Sequence, residues 1–456
     1  MATVPPMTVQ KSNPVFELFA SVQLALFLLF LLASTSIIGT VIPQNSVPQF
    51  YIDEYGPKTA RLLQILDIPD MYNSWWFLLL LALFALNLIV CSLERIPQVF
   101  RTIRRDGLSV SKAQMEKQPL HATLLVPLPP AEAQRKIRNL FAAKGWKIKT
   151  ADRETGRQLF TEKGAWSRFG VYVVHASILI ILAGALLGSS AVATKLLHNP
   201  QFAFKGSVMI PETEASDHIL AFKTGRRIDL GFVLRCDSFA IEFYGNGMPK
   251  TYRTQATIID DGKPVLSSAI EVNTPLTYKG ITFYQSSYQP AQDYAITLKQ
   301  KGSQDVHTAV IPPASERQWP ERKISYGIIN RERQGEVTRR VKIWLSDNQG
   351  EPSVFWQDVN QEAAIERPSG TYLLTVRQRY ATGLQVTKDP GVWLVYCGCF
   401  LMLAGLYCAF FQSHRRLYGL IEPNGTGSRI LLAGNANKNK LGFERYFSDF
   451  IKTLEQ

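Results

Sequence analysis

Few side chains in this sequence are placed to do chemistry. Six are histidines: His121, His175, His198, His218, His307 and His414. Only His175 falls well inside an apolar stretch. Counted from Phe169 it is six residues in, about 9 Å along a helix that rises ~1.5 Å per residue. An ionisable group at that depth is costly, and its default reading is functional. The plain alternative is a hydrogen bond to a neighbouring helix. A neutral imidazole keeps its proton on one nitrogen and offers the other to a metal. A single membrane histidine therefore supplies one axial ligand to a haem iron, which is half a site.

The cysteines point away from redox chemistry. The five are Cys91, Cys236, Cys397, Cys399 and Cys408, with no CxxC and no CxxCH among them. Neither a thioredoxin-type pair nor a covalent haem attachment site is encoded. Cys397 and Cys399, two apart on a helix, point ~200° away from each other. No phosphate-binding glycine loop, HExxH or GxSxG occurs, so no conventional hydrolytic or transfer site is proposed by motif.

The elements that must position His175 are membrane helices. Four stretches carry no Asp, Glu, Lys or Arg: Leu18 to Ile52, Asn73 to Leu93, Phe169 to Thr194 and Pro390 to His414. Each can cross a hydrocarbon core of ~30 Å, which takes ~20 helical residues. The first is too long, and lacks the cleavage pattern, for a removed signal peptide; no transit peptide is visible before Leu18. In the third, Gly184 and Gly188 have GxxxG spacing, and the nine residues from His175 to Gly184 put the two on opposite faces. Either the glycines pack within the bundle and His175 faces a partner, or both faces are buried in one bundle.

Charge sets the expected topology. The net charge is +13 and the pI about 9.4. Residues 94–168 hold 16 Lys and Arg against 7 Asp and Glu, whereas residues 195–389 hold 24 against 21. Basic loops stay in the cytosol. The expected order is a cytosolic N-terminus (1–17), a first span (18–42), an extracytoplasmic loop (43–72), a second span (73–93) and a cytosolic loop domain (94–168). A third span (169–193), a large extracytoplasmic domain (194–389), a fourth span (390–413) and a cytosolic tail (414–456) complete it. The basic residues flank membrane spans, with no basic stripe carrying interleaved aromatics, and this excludes nucleic acid as a partner.

The first exposed loop, Pro43 to Tyr72, is short and mixed. The cytosolic loop reads β-α-β-β: an alternating run Leu120 to Leu128, a helix Ala131 to Ala143 stopped by Lys144-Gly145, then strands Trp146 to Thr150 and Gln158 to Glu162. The large domain reads as a chain of hairpins. Strands are expected at Ile228 to Leu234, Ser238 to Tyr244, Tyr252 to Ile259, Ile281 to Gln285, Val341 to Leu345, Ser353 to Trp356, Tyr372 to Val376 and Leu384 to Val386. Turns fall at Gly245-Asn246-Gly247, at 260–263 and at 347–350, and the pattern fits an antiparallel sandwich or open barrel. The fold class is therefore a polytopic α-helical membrane protein of four spans, with a large β-rich extracytoplasmic domain and a small α+β cytosolic loop domain.

Several segments resemble one family. Leu24-Ala25-Leu26-Phe27 leading to Gly39-Thr40-Val41-Ile42-Pro43-Gln44, and Ser74-Trp75-Trp76-Phe77 leading to Asn87-Leu88-Ile89-Val90-Cys91-Ser92, resemble the first two spans of the ResB (CcsB) cytochrome c biogenesis proteins. Gly164-Ala165-Trp166-Ser167-Arg168 with Val173-Val174-His175-Ala176-Ser177 resembles the third. Val272-Asn273-Thr274-Pro275-Leu276, the run Gly280 to Tyr288, Lys388-Asp389-Pro390-Gly391 and Ser413-His414-Arg415-Arg416 are similar to the exported domain and its return. The likeness runs over nearly the whole chain.

The resemblance implies a membrane subunit of System II, which transports haem across the membrane and attaches it to apocytochrome c. It implies a ResC/CcsA-type membrane partner, apocytochrome c as client, and a thioredoxin-like thiol reductant as a further partner. The family's membrane histidine carries over to His175, as axial ligand to transiently bound haem b. Trp75-Trp76 is not followed by an Asp-bearing segment, so only the ResB half is resembled, not a fused form. Thr274 stands where some relatives have His. The run Asn435 to Lys440 is closer to bacterial members, and the expected location is the bacterial cytoplasmic membrane, with the thylakoid as alternative. Two rival functions remain open on the residues alone: a thiol-redox component, which the missing CxxC opposes, and a membrane-anchored sensor or structural module in which His175 only packs.

Overall fold

The computed structural model describes residues 14–153, 156–222, 224–243, 249–334 and 337–455. The expected N-terminal segment through residue 13 and the expected turn at Gly245-Asn246-Gly247 lie outside the described residues. The chain divides into two compact units, Met1–Ala185 with Val392–Gln456, and Leu186–Gly391.

In the first unit four helices are long and apolar enough to cross a membrane: Val22–Val41, Trp75–Arg104, Ala165–Leu187 and Val392–Phe411. They match the four expected spans, with two adjustments. The second continues through Pro97 to Arg104, well past the charge-free stretch, and ends on Arg101 and Arg104, which complement the helix's negative end. The third stops at Leu187, so Gly188 falls outside the helix and there is no GxxxG face; a Cβ on Gly188 would lie 2.1 Å from the Asp389 carboxylate. Close helix approach is instead made by Gly398 and Gly405 of the fourth span. They sit against Ser177 and Ile181 and against Gly170 and Val174 of the third. Leu28 and Leu32 of the first span pack with Phe77, Phe84 and Leu88 of the second, and Ile178 and Leu179 of the third close that cluster.

The chain enters the first span through a kink. A short helix, Pro14–Phe19, ends before Ser21, whose hydroxyl caps Gln23 N at 3.1 Å. The carbonyls freed at the kink are satisfied from the second span: Asn87 Nδ2 donates to Phe19 O (2.7 Å) and Ser21 O (3.1 Å), and the Cys91 thiol to Ala20 O (3.1 Å). Asn87 and Cys91 are one helical turn apart, which aims both at the same break.

Residues 43–72, read from sequence as a mixed loop, are mostly helical: Pro48–Ile65 broken at Gly56 (φ +78°) before Pro57, then a turn at Ile68–Asn73. Charges at Asp53, Glu54, Lys58 and Arg61 hide the helical period. The segment is held by Tyr51, whose hydroxyl donates to Pro43 O at 2.6 Å, and by Gln44 Oε1, which accepts from Met71 N at 3.1 Å.

The β-α-β-β order of the loop is present as Leu120–Val126, Pro130–Ala143, Ile148–Arg153 and Gly156–Lys163. The tail adds Arg415–Asn424, Gly427–Ala436 and the helix Lys440–Glu455. Together they form one antiparallel sheet in which the two tail strands lie between Leu120–Val126 and Gly156–Lys163. One face buries Ile137, Phe141, Phe443, Phe447 and Phe450, with the Phe141 and Phe450 rings stacked at 4.1 Å. Met115, Phe160 and Tyr418 pack on the other.

The second unit is built mainly of antiparallel strands, with helical turns at Val192–Leu196 and Pro320–Arg322. Two long strands run through it: Ile281–Gln300, of which the sequence suggests only Ile281 to Gln285, and Gly370–Lys388, which covers the two expected pieces Tyr372 to Val376 and Leu384 to Val386. Irregular pairing between Pro290 and Tyr294 divides the unit into two cores. On one side Ile210, Ile258, Ile270, Phe283 and Val386 share a core around which the sheet curls as an open barrel. On the other, Tyr294, Ile296 and Leu374 face Tyr326, Ile328 and Ile343 of a separate four-stranded sheet, a sandwich. Ile228 to Phe243 is likewise one strand, Arg227–Phe243, bulged between Cys236 and Ser238. The expected turn at 347–350 is present, with φ +59° at Asn348 and +79° at Gly350.

Candidate functional site

His175 lies in the third span and faces the second. Its Nδ1 is 3.0 Å from Ser92 Oγ. The Ser92 hydroxyl spends its single proton on Leu88 O at 2.6 Å, so in this pair Nδ1–H is the donor and Ser92 Oγ the acceptor. That assignment leaves Nε2 as a bare lone pair, and no protein group bonds to it among the described residues. Such an arrangement suits metal ligation: the non-ligating nitrogen is tied down and the other is oriented and unprotonated. The imidazole is half-buried, with the Tyr172 ring edge-on at 6.0 Å. Phe169, Phe100 and Trp166 extend the aromatic wall toward the basic end of the span. A flat apolar ligand would meet a flat apolar lining there.

Three of the other histidines lie outside the apolar helices, each against its own neighbour. His121 Nδ1 lies 3.2 Å from Gln118 O, His218 Nδ1 lies 2.7 Å from Asp217, and His307 is stacked on Trp319 at 5.4 Å. Among the described residues no three His, Cys, Asp or Glu side chains gather as a metal site. Thr274 sits in a turn, bridged to Glu271.

Sequence reasoning missed the role of His414. It is 1% exposed and ties two distant motifs together. Arg168 Nε donates to its Nδ1 at 2.7 Å, and its Nε2 is 2.9 Å from Glu162 Oε2. Arg416 also reaches this carboxylate, at 3.5 Å, and bonds Thr102 O at the end of the second span. Burial lowers the pKa of His414, aided by the charges of Arg416 and Arg168 and opposed by Glu162, so the ring is held neutral. The signal in the sequence was the clustering of Arg, His and Glu at the ends of two spans, which position along the chain alone does not reveal.

The cysteines form no disulfide with one another. Cys91 serves the kink, Cys397 and Cys399 are exposed on the apolar surface of the fourth span, and Cys408 is half-buried there. Burial pushes the Cys236 thiol up to about 12, which makes it inert. All five are free thiols.

Four apolar helices together with a large β-rich unit define a polytopic membrane protein. The chain belongs to the ResB-like family, which matches residues 22–334 and 336–448. It is similar to a protein named cytochrome c biogenesis protein CcsB from Microcystis aeruginosa, with 28% identity over 461 residues, 96% of this chain and 95% of the relative. A CcsB from Thermosynechococcus vestitus is 29% identical over 451 residues, 94% of this chain and 93% of the relative. The cytochrome c biogenesis protein Ccs1 of Porphyra purpurea is 26% identical over 454 residues, covering 94% and 93%. The family suggested by the sequence motifs is thus the family to which the chain belongs.

Proposed function

We propose that this chain is a membrane subunit of System II cytochrome c maturation, in which His175 gives one axial bond to haem b as the haem crosses the membrane toward apocytochrome c. The observation that carries the reading is the Ser92–His175 hydrogen bond, which leaves Nε2 bare in the N-terminal half of the third span. Haem is cargo here. This chain's part is to present one nitrogen, hold its tautomer, and line the approach with Tyr172 and Phe169. The second axial ligand comes from a ResC/CcsA-type partner, and a thioredoxin-like reductant keeps the client's cysteines reduced.

Two observations support the sidedness. Residues 94–168 hold the strong basic excess, and strands from that loop and from the tail share one sheet, so both must lie on one side of the bilayer. The unit between the third and fourth spans then lies on the other side, where it meets apocytochrome c. The membrane is the bacterial cytoplasmic membrane or a thylakoid, as the cyanobacterial relatives fit.

The test is haem co-purified with the complex of this chain and its partner. His175→Ala should lower haem content and holocytochrome yield together, on the order of tenfold, with partial recovery when imidazole is supplied. Wild-type haem content with an unchanged axial-ligand spectrum would make His175 a packing residue.

A further inference from the structure

A cavity of about 310 Å³ lies in the first unit, over one face of the central strands of the five-stranded sheet, near where the second span ends. Its floor is aromatic: Phe160 and Tyr418 are both buried, with ring centroids 5.4 Å apart. Its cations are Arg105, Lys117 and Arg416, against one carboxylate, Asp106. The volume falls at the small end of ligand pockets, ~300–1,000 Å³.

The hydrogen-bond inventory of the wall is lopsided. Gln118 Oε1 is taken by Asn435 Nδ2 at 2.5 Å, Gln114 Oε1 by Ser111 N at 3.2 Å, and Asp106 Oδ1 by Leu108 N at 3.0 Å. Two amide donors are spent as well, Gln118 Nε2 on Gln114 O at 3.2 Å and Asn435 Nδ2 on Gln118 Oε1. The Arg105 and Lys117 side chains make no hydrogen bond or ion pair among the described residues, and the Gln114 amide nitrogen has no acceptor there. Arg416 is anchored through Nε to Glu162 Oε2 at 3.5 Å and through one terminal nitrogen to Thr102 O, which fixes its guanidinium at the wall. A concave wall with three cations against one carboxylate, two of those cations without a partner among the described residues, complements an anion of several oxygens.

We propose that this cavity binds a phosphate group. It stands directly after the second span, whose last turns carry Arg95, Arg101 and Arg104, and Arg416 follows the fourth span by five residues from Phe411. A phosphate there has two sources, the headgroup of an anionic lipid or a soluble phosphate ester; basic pockets beside spans take the former. The inference does not rest on the role of His175.

The experiment uses the full-length protein in detergent and follows its thermal midpoint during titration with short-chain phosphatidylglycerol, short-chain phosphatidylcholine or sodium pyrophosphate. The wild type should be stabilised by phosphatidylglycerol and not by phosphatidylcholine. Arg105→Gln/Lys117→Gln should weaken that response on the order of tenfold or more, while its midpoint without ligand stays close to wild type. Lys147→Gln/Lys149→Gln removes the same charge from exposed positions of the same domain and should leave the response intact. Stabilisation by pyrophosphate alone, lost in the first variant and kept in the second, would support the site and assign it to a soluble ester. Equal loss in both double variants, or no difference between wild type and Arg105→Gln/Lys117→Gln with either anion, would overturn it.

Discussion

Ser92 and His175, 83 residues apart in sequence, meet at 3.0 Å between the second and third spans, and the serine's own bond to Leu88 O decides which imidazole nitrogen carries the proton. On the ligation proposed for His175, Ser92 is a positioning residue. Ser92→Ala should leave the spans able to insert yet weaken haem retention by roughly 10- to 100-fold, the usual effect of losing a ligand's hydrogen-bond partner. Ser92→Thr, which keeps the hydroxyl, should recover most of it. Haem titration of the purified complex with its Soret spectrum separates these. Full retention in Ser92→Ala would show that the tautomer is set elsewhere.

The thiols of this chain should be dispensable. Cys91 donates to Ala20 O, a bond that serine can replace, and the other four have no partner at disulfide distance. A variant with Cys91→Ser and alanine at the four other positions should mature cytochrome c at close to wild-type yield, with a stability loss of about 1 kcal/mol from the buried Cys236 site. Loss of holocytochrome at normal protein level would restore the thiol-redox reading.

What the sequence reveals here follows from how local the governing physics is. A span needs ~20 apolar residues in a row, so all four were legible from composition. Strand alternation gave the loop's β-α-β-β order, yet not that Arg415–Asn424 and Gly427–Ala436 fill the middle of that sheet, because pairing across more than 250 residues leaves no local trace. The sequence reading of the long strand Ile281–Gln300 stops at Gln285, where the first register shift falls, and that of Gly370–Lys388 yields two pieces, because bulges reset the alternation. His175 stood out as the one imidazole inside a span. Ser92 did not, since a hydroxyl in a membrane helix usually bonds its own preceding turn, as this one also does. His414 was passed over because its partners Glu162 and Arg168 lie on the far side of two spans in sequence.

Topology can be read without fusions by placing single cysteines in the cysteine-free background. Gln349→Cys lies in the exposed turn of the large unit and Lys149→Cys on an exposed strand of the five-stranded sheet. A membrane-impermeant maleimide applied to intact cells should label the first and spare the second until the cells are opened. Labelling of Lys149→Cys alone would invert the proposed orientation.

The last prediction concerns pH. His414 is buried against Glu162, Arg168 and Arg416, and its pKa lies below the ordinary 6.5. In the unfolded chain the imidazole takes up a proton as pH falls through 6.5; in the folded protein it resists until a lower pH. Over that window the unfolded state binds more protons, so stability rises with pH. The contribution of His414 is thus whole above about 6.5 and is lost on acidification. The thermal midpoint of the first unit should therefore drop between pH 7.5 and pH 5.5. His414→Gln should lower the midpoint at pH 7.5, because Arg168 and Glu162 lose a buried partner, at a cost on the order of 1–3 kcal/mol. It should also flatten the pH dependence. A variant that keeps the wild-type slope would move the titration to another group and leave His414 a neutral strut between the ends of the third and fourth spans.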